Sequence, residues 1–351
     1  MTGSKPVLGQ LALSRGTVDR ATHRRGDTEW LEHAWADPRT RVLVVDDGKA
    51  LVRLGEGHAE LVFVPVEQAP PGTRMLLGVD TDDVVYFGVA GPLPGLSGGA
   101  PGGGRPSPPD GQHDDIRPAA LRQVGALLGD RDAGLLTHAV ALANWHTSHT
   151  HCPRCGTPTV PDPSGHSTTC PRDGTEHFPR TDPAVIMLVT DPDDRALLAR
   201  NMNWPGRRVS ILAGFVEPGE SAEQAVVREV DEETGIVVGE VCYLGSQPWP
   251  MPRSLMLGFS ATAVGGQQIS VDTEEIAEAR WFSRDELRAS LDTDEIRLPA
   301  PVSIAYRIIE SWYGEPLPWS PEAASAWDAL PANGPPAGGL AAQPAPPAPP
   351  R

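Results

Sequence analysis

Two glutamates, Glu229 and Glu233, stand one helical turn apart on a face that their neighbours mark as buried. At roughly 100° per residue, Ala222, Ala225, Val226 and Val230 form an apolar stripe, and both carboxylates fall inside it. Glu232 lies at the edge of that stripe. Like charges on a half-buried face repel and lose hydration, so keeping them ionised requires a cation. Mg²⁺ or Mn²⁺ suits the donor set. Either prefers carboxylate oxygens and keeps part of its water shell, which leaves positions for phosphate oxygens and an attacking water. Arg228, one turn before Glu232, can hold that side of the cluster in place. The plainer alternative is an acidic amphipathic helix whose charges are only solvated.

The elements that must position these residues are legible around them. Gly219 closes a turn, Ser221 can cap the next amides, and Gln224 occupies the capping-box position, which predicts a helix from about Ala222 to Thr234. Gly235 supplies the left-handed residue that ends it, and Ile236-Val237-Val238 reads as the start of the following strand. Before the helix, Ala184 to Val189, Ala196 to Ala199 and Val209 to Gly214 read as strands; after it come Val237 to Leu244, Leu255 to Thr262 and a helix near Val302 to Trp312.

The segment Gly214 to Ile236 resembles the Nudix box, GX5EX7REUXEEXGU with U aliphatic. Gly214, Glu220, Arg228, Glu229, Val230, Glu232, Glu233, Gly235 and Ile236 fill its fixed positions. The resemblance implies a Nudix hydrolase, which cleaves a nucleoside diphosphate linked to another group with divalent cations held by the box glutamates. Downstream, Ser246-Gln-Pro-Trp-Pro-Met-Pro-Arg-Ser254 reads as a stiff proline loop around one tryptophan, a platform on which flat heteroaromatic rings stack. Gln247 and Ser254 can add directional hydrogen bonds.

This string is similar to SQPWPFPxS, the signature of the NADH pyrophosphatase group of Nudix enzymes, with Met251 in place of an aromatic residue. The group includes enzymes that remove an NAD cap from RNA 5′ ends. The resemblance implies substrate contacts through Gln247, Pro248, Trp249, Pro250, Met251, Pro252, Arg253 and Ser254. It also implies a catalytic set of Glu220, Arg228, Glu229, Glu232 and Glu233, and Mg²⁺ or Mn²⁺ ligation by the Ala213 carbonyl, Glu229, Glu233 and Glu275, with Glu274 and Glu278 as competitors for the last position. Phe215 is implied to stack on the nicotinamide, Trp249 to face the same ring from a partner subunit of a homodimer, and Ala305 to touch substrate through its backbone. The expected reaction is hydrolysis of NADH or NAD⁺ to nicotinamide mononucleotide and AMP. Hydrolysis of ADP-ribose or a dinucleoside polyphosphate, or a dinucleotide- or RNA-sensing module that has lost hydrolysis, are the other readings.

Upstream, Cys152-Pro-Arg-Cys155 is followed after fourteen residues by Cys170-Pro-Arg-Asp173. CxxC and CxxC at that distance would read as a zinc ribbon. Here Asp173 stands at the fourth position. A Cys3Asp zinc site is expected, with His177, His166 or His151 as other donors for the fourth place, and a disulfide or a metal-free knuckle as competing readings. Cys242, in an apolar run, reads as a buried small hydrophobe.

The chain of 351 residues divides by composition. Residues 1–147 carry strand-like runs at Arg41 to Asp46, Ala59 to Val64 and Val84 to Val89, with helices near Ala119 to Leu128 and Gly134 to His146. A Gly/Pro-rich insertion spans about 91–115, a ribbon 148–179, a catalytic domain 180–314 and a Pro/Ala-rich tail 315–351, the insertion and tail expected to lack a core. The expected fold class is α/β: a Nudix α/β/α sandwich around a mixed sheet, preceded by the ribbon and, by resemblance, by a Nudix-like α+β domain lacking the box. The formal net charge of −17 argues against indiscriminate nucleic-acid binding, although Arg207, Arg208 and Arg253 can meet phosphates locally. No stretch is long and apolar enough for a bilayer span, and the chain starts without a secretory signal, so a cytoplasmic location is expected.

Overall fold

The computed structural model describes residues 8–95, 115–204 and 206–318. Most of the Gly/Pro insertion and all but the first residues of the Pro/Ala-rich tail lie outside the described residues. The chain forms two compact units. One comprises Met1–Asp182 with Ser246–Leu255 and Pro301–Ile304; the other comprises Pro183–Gly245, Met256–Ala300 and Ala305–Arg351.

In the first unit, helix α1 (Thr28–Ala36) precedes β1 (Arg41–Val45), β2 (Lys49–Gly55), β3 (His58–Leu61), β4 (Arg74–Val79), β5 (Val85–Ala90) and β6 (Asp115–Ala120). Helices α2 (Leu121–Val124) and α3 (Asp130–Ser148) follow. One sheet has the order β1-β5-β4, with β1 parallel to β5 and β4 antiparallel; the other is β3-β2-β6. Val42 to Val45 are all buried, as expected of a strand covered on both faces. The helix expected near Ala119 to Leu128 is instead the end of β6 and one short turn of helix. Residues up to Ala120 pair with β2, Pro118 opposite Leu51, and that ladder overrides local helical preference. α3 starts earlier than expected, with Asp130 and Asp132 in its first turn, where the helix dipole favours them. Three short strands, β7 (Val160–Pro161), β8 (Thr168–Thr169) and β9 (Glu176–His177), form the ribbon sheet.

The remaining elements, which supply most of the second unit, are β10 (Asp182–Thr190), β11 (Ala196–Asn201), β12 (Leu212–Phe215), α4 (Ala222–Thr234), β13 (Val238–Trp249), β14 (Ser254–Ala263), β15 (Ile276–Phe282), α5 (Arg284–Asp292) and α6 (Ile304–Tyr313); the end of β13 from Ser246 and the start of β14 up to Leu255 fall in the first unit. The order is β13-β14-β10-β11-β15, and β12 pairs antiparallel with β10. α4 has the predicted bounds and caps. Ser221 and Gln224 complete the capping box, and Gly235 adopts φ 65°. Ala225, Val226 and Val230 are fully buried against Val185, Met187, Leu197 and Phe259. Val226 and Val230 each contribute about 2 kcal/mol by burial, which holds the helix in place while two carboxylates on the same face lose water. The architecture is α/β, with mixed sheets and flanking helices.

Two further expectations differ from the structure. Cys242 is exposed, because β13 is the terminal strand of the sheet. The segment before Trp249 is not a loop: β13 runs through Trp249, and the turn is confined to the residues just beyond it. Among the described residues, no helix is long and apolar enough to cross a membrane.

Candidate active site

Strand β12 delivers Gly214 against the box helix so closely that the carboxylate of Glu229 fills the space a β-carbon would need. A methyl group added at Gly214 would lie 1.9 Å from Glu229 Cδ. The box glycine is therefore required for room, not for backbone conformation. Glu229 and Glu233 are both 6% exposed.

Arg228 organises the exposed side of the cluster. Its Nε donates to Glu220 Oε1 at 2.8 Å, Nη1 to Glu229 Oε1 at 2.9 Å and to Glu232 Oε2 at 3.0 Å, and Nη2 to Glu220 Oε2 and the Phe215 carbonyl, both at 2.9 Å. Those contacts match the five donors of a guanidinium. The Glu220 carboxyl is held below its usual range by the Arg228 bonds, and the Arg228 pKa is raised in turn, chiefly by Glu220. Glu229 shares the same arginine yet shifts upward, because burial outweighs the ion pair. Glu220 thus acts as a brace for Arg228 at this site.

Among the described residues, Glu233 has no such partner. Its Oε2 is buried without a hydrogen bond, and burial, then the charges of Glu229, Glu275, Glu232 and Asp272, push its carboxyl up to about 9. A buried, orphaned carboxylate oxygen facing further carboxylates is the environment a hard divalent cation would neutralise, so the residues present fit one. Glu275 ranks second, after Glu229, among the charges acting on Glu233. Its competitor Glu278 instead sits opposite Arg200 on β15 and lines a separate small cavity. Glu274 donates its N–H to Asp272 Oδ1. Asp272 went unassigned in the sequence; its N–H reaches the Glu233 carbonyl at 3.2 Å, and a short Asx turn before a strand was the available signal. Ala213 lies on β12 opposite Ile186, Phe215 ends that strand half-buried, and Ala305 is buried on α6.

The Trp249 segment belongs to the first unit, and several of its expected substrate contacts are already used within the chain. Gln247 is fully buried: its Oε1 accepts from the Leu13 N–H at 3.3 Å and its Nε2 donates to the Val302 carbonyl at 3.0 Å. Both ends of the Gln247 amide are thus engaged inside the first unit. Arg253 is likewise committed to Asp182 at 2.6 Å, and Arg207 pairs with Asp294. Arg208 is buried. Pro250 is buried, Pro252 exposed, and Pro248, Trp249, Met251 and Ser254 are half-buried.

The ribbon is built from two equivalent knuckles. The N–H groups of Cys152 and Cys170 donate to the carbonyls of Thr157 and Thr175 at 2.8 and 2.9 Å, and their carbonyls accept from Gly156 and Gly174, both at 2.9 Å. Asp173 therefore stands in the second knuckle where Cys155 stands in the first. One ligand atom from each of Cys152, Cys155, Cys170 and Asp173 lies within 4.8 Å of the others. The Cys155 and Cys170 sulfurs are 3.5 Å apart, far from a disulfide bond, and all four cysteines are free. The Thr175 N–H holds the Asp173 carboxyl down at about 2, so it is available as an anionic ligand. His166 is occupied by the Leu76 carbonyl, and His177 lies outside the cluster of four.

A carboxylate-bearing helix braced by one arginine, set on this α/β scaffold, defines a hydrolase of the cation-dependent class. Residues 180–302 match the NUDIX domain, and residues 147–178 match the NADH pyrophosphatase zinc ribbon domain. The NAD-capped RNA hydrolase NudC of Mycobacterium bovis is 41% identical over 315 residues, covering 86% of this chain and 94% of that one. The Mycobacterium tuberculosis protein of the same name is 40% identical with the same coverage. Human NAD-capped RNA hydrolase NUDT12 is 32% identical over 344 residues, covering 86% of this chain and 72% of that one. The chain belongs to the Nudix hydrolase family, among the members that carry the NADH pyrophosphatase zinc ribbon.

Proposed function

We propose that this protein hydrolyses the pyrophosphate bond of NADH and NAD⁺ to nicotinamide mononucleotide and AMP, and removes the NAD cap from RNA 5′ ends by the same cleavage. The observation that carries the hydrolytic part is the buried, orphaned Glu233 oxygen among Glu229, Glu232, Glu275 and Asp272. The relatives named for NAD-capped RNA support the choice of substrate. Glu229, Glu233, Glu275 and the Ala213 carbonyl would hold Mg²⁺ or Mn²⁺. When bound, such an ion supplies positive charge for the pyrophosphate and acidifies water.

Arg228 keeps Glu229 and Glu232 oriented, and Glu233, whose buried Oε2 has no hydrogen-bond partner among the described residues, would orient the attacking water. Because these groups share one cluster, they titrate as a set. Phe215 and Trp249 provide flat faces for the nicotinamide ring, Trp249 from the partner of a homodimer. Ser254, Pro248, Pro250, Met251 and Pro252 shape that wall, and Ala305 offers a backbone contact. Cys152, Cys155, Cys170 and Asp173 would hold zinc. Residues 1–147 form a Nudix-like domain without a box, 148–179 the ribbon and 180–314 the catalytic domain. Free thiols gathered for a metal suit a reducing, cytoplasmic location.

The test is turnover of NADH, NAD-capped RNA and ADP-ribose side by side with Glu233→Gln as control. Nicotinamide mononucleotide release from the first two, lost in the variant, is expected. Equal rates on ADP-ribose would remove the nicotinamide wall from the account, and full activity in Glu233→Gln would remove the carboxylate cluster.

A further inference from the structure

The turn that directly follows Trp249 is held by a side chain more than a hundred residues away. Pro248, Pro250 and Pro252 have no N–H, so the geometry of this segment depends on what binds its carbonyls. Asn144 on α3 donates through Nδ2 to the Pro250 carbonyl at 2.7 Å and the Pro252 carbonyl at 3.2 Å, using both hydrogens of one amide. Between these two anchors the Met251 N–H closes on the Trp249 carbonyl at 2.8 Å. On the amino side Ser14 Oγ donates to the Ser246 carbonyl at 2.9 Å, and Gln247 is fixed as described. On the carboxyl side the Arg253 carbonyl accepts from the Asp182 N–H at 2.9 Å. All of these partners belong to the first unit.

Asn144 differs from its neighbours on α3. Leu142, Ala143 and Trp145 are buried in the core, whereas Asn144 is half-buried and directs its amide at the turn. We infer that Asn144 is a positioning residue for Trp249, so that preference for a nicotinamide-bearing dinucleotide depends on a side chain outside the Nudix domain. This rests on the reading of Trp249 as a wall for the nicotinamide ring.

The experiment uses the full chain as Asn144→Ala, Asn144→Gln, Trp249→Ala and the Asn144→Ala/Trp249→Ala double variant, with kcat and KM measured for NADH and ADP-ribose. Alanine suits a helix, and the carbonyls it uncovers can be hydrated, so the fold should survive; melting midpoints check this. If truncation does unfold the protein, the isosteric Asn144→Asp, which lacks both donors, carries the test. Losing two hydrogen bonds predicts a KM for NADH raised about tenfold, with its kcat and both ADP-ribose constants little changed. Asn144→Gln keeps the donors and should recover most of the affinity, and Asn144→Ala should add nothing once Trp249 is gone. Equal losses on both substrates, or full additivity with Trp249→Ala, would overturn the inference while leaving Trp249 its role. If Trp249→Ala itself leaves the preference for NADH intact, the Trp249 reading falls, and this inference with it.

Discussion

Replacing Gly214 with alanine tests the site at its tightest point. Gly214 pairs with Val185 in the β10–β12 ladder, and an added methyl would stand 1.9 Å from Glu229 Cδ, 2.0 Å from Oε1 and 2.3 Å from Oε2. These are side-chain atoms, so the backbone can stay where it is and the carboxylate gives way. Restoring ordinary contact requires the Glu229 carboxylate to withdraw by more than about 1 Å, a misplacement that costs on the order of 10²-fold in rate at a catalytic group. Withdrawal also strains the 2.9 Å bond from Arg228, an ion pair that offsets the burial of Glu229. Gly214→Ala is therefore expected to stay folded, with kcat on NADH lowered about a hundredfold. Initial rates of nicotinamide mononucleotide release, alongside a melting curve, make the measurement. A folded variant within about threefold of the parent rate would refute the claim that the placement of Glu229 limits activity.

Glu233 predicts a pH dependence. With its carboxyl pushed up to about 9 in the folded state, mainly by burial, the cation-free protein retains a proton that the unfolded chain releases near 4.5. Stability without divalent ions should then fall as pH rises from about 4.5 and level off above about 9. Denaturant titrations in chelator at several pH values should show this slope flattened in Glu233→Gln; an identical slope in the variant would assign it to another group. For the ribbon, elemental analysis of Asp173→Ala should find less zinc per chain than the parent, whereas Asp173→Cys should retain it. Undiminished zinc in the alanine variant would mean that the fourth ligand is not Asp173.

The box helix was legible because its start, stop and buried face are all local signals. Ser221, Gln224 and Gly235 cap it, and the stripe repeats with the helical period. What the chain concealed was contact between distant residues. Nothing in the sequence around Gln247 shows that its side-chain oxygen accepts from an N–H 234 residues away. Cys242 read as core from its apolar neighbours, because nothing local says that β13 is the edge of its sheet. The helix α5 leaves little mark on the sequence because, apart from Ser290, its buried face is reduced to Leu287, too little for a periodic stripe. Asn144 carries no motif at all. Its meaning appears only once the Pro250 and Pro252 carbonyls are seen within its reach.

Arg228 joins groups that the proposed chemistry treats separately. The guanidinium that orders Glu220, Glu229 and Glu232 also grips the carbonyl of Phe215, the residue proposed to face the nicotinamide. On the proposed roles, ring recognition and carboxylate placement are mechanically joined, and a substitution that loosens one is expected to disturb the other. On the same reading, a change of preferred ring is more readily made at Trp249, which is not among the partners of that arginine. Divergence of specificity among such enzymes should accordingly concentrate on the proline turn and its anchors and spare the strand that runs into the box.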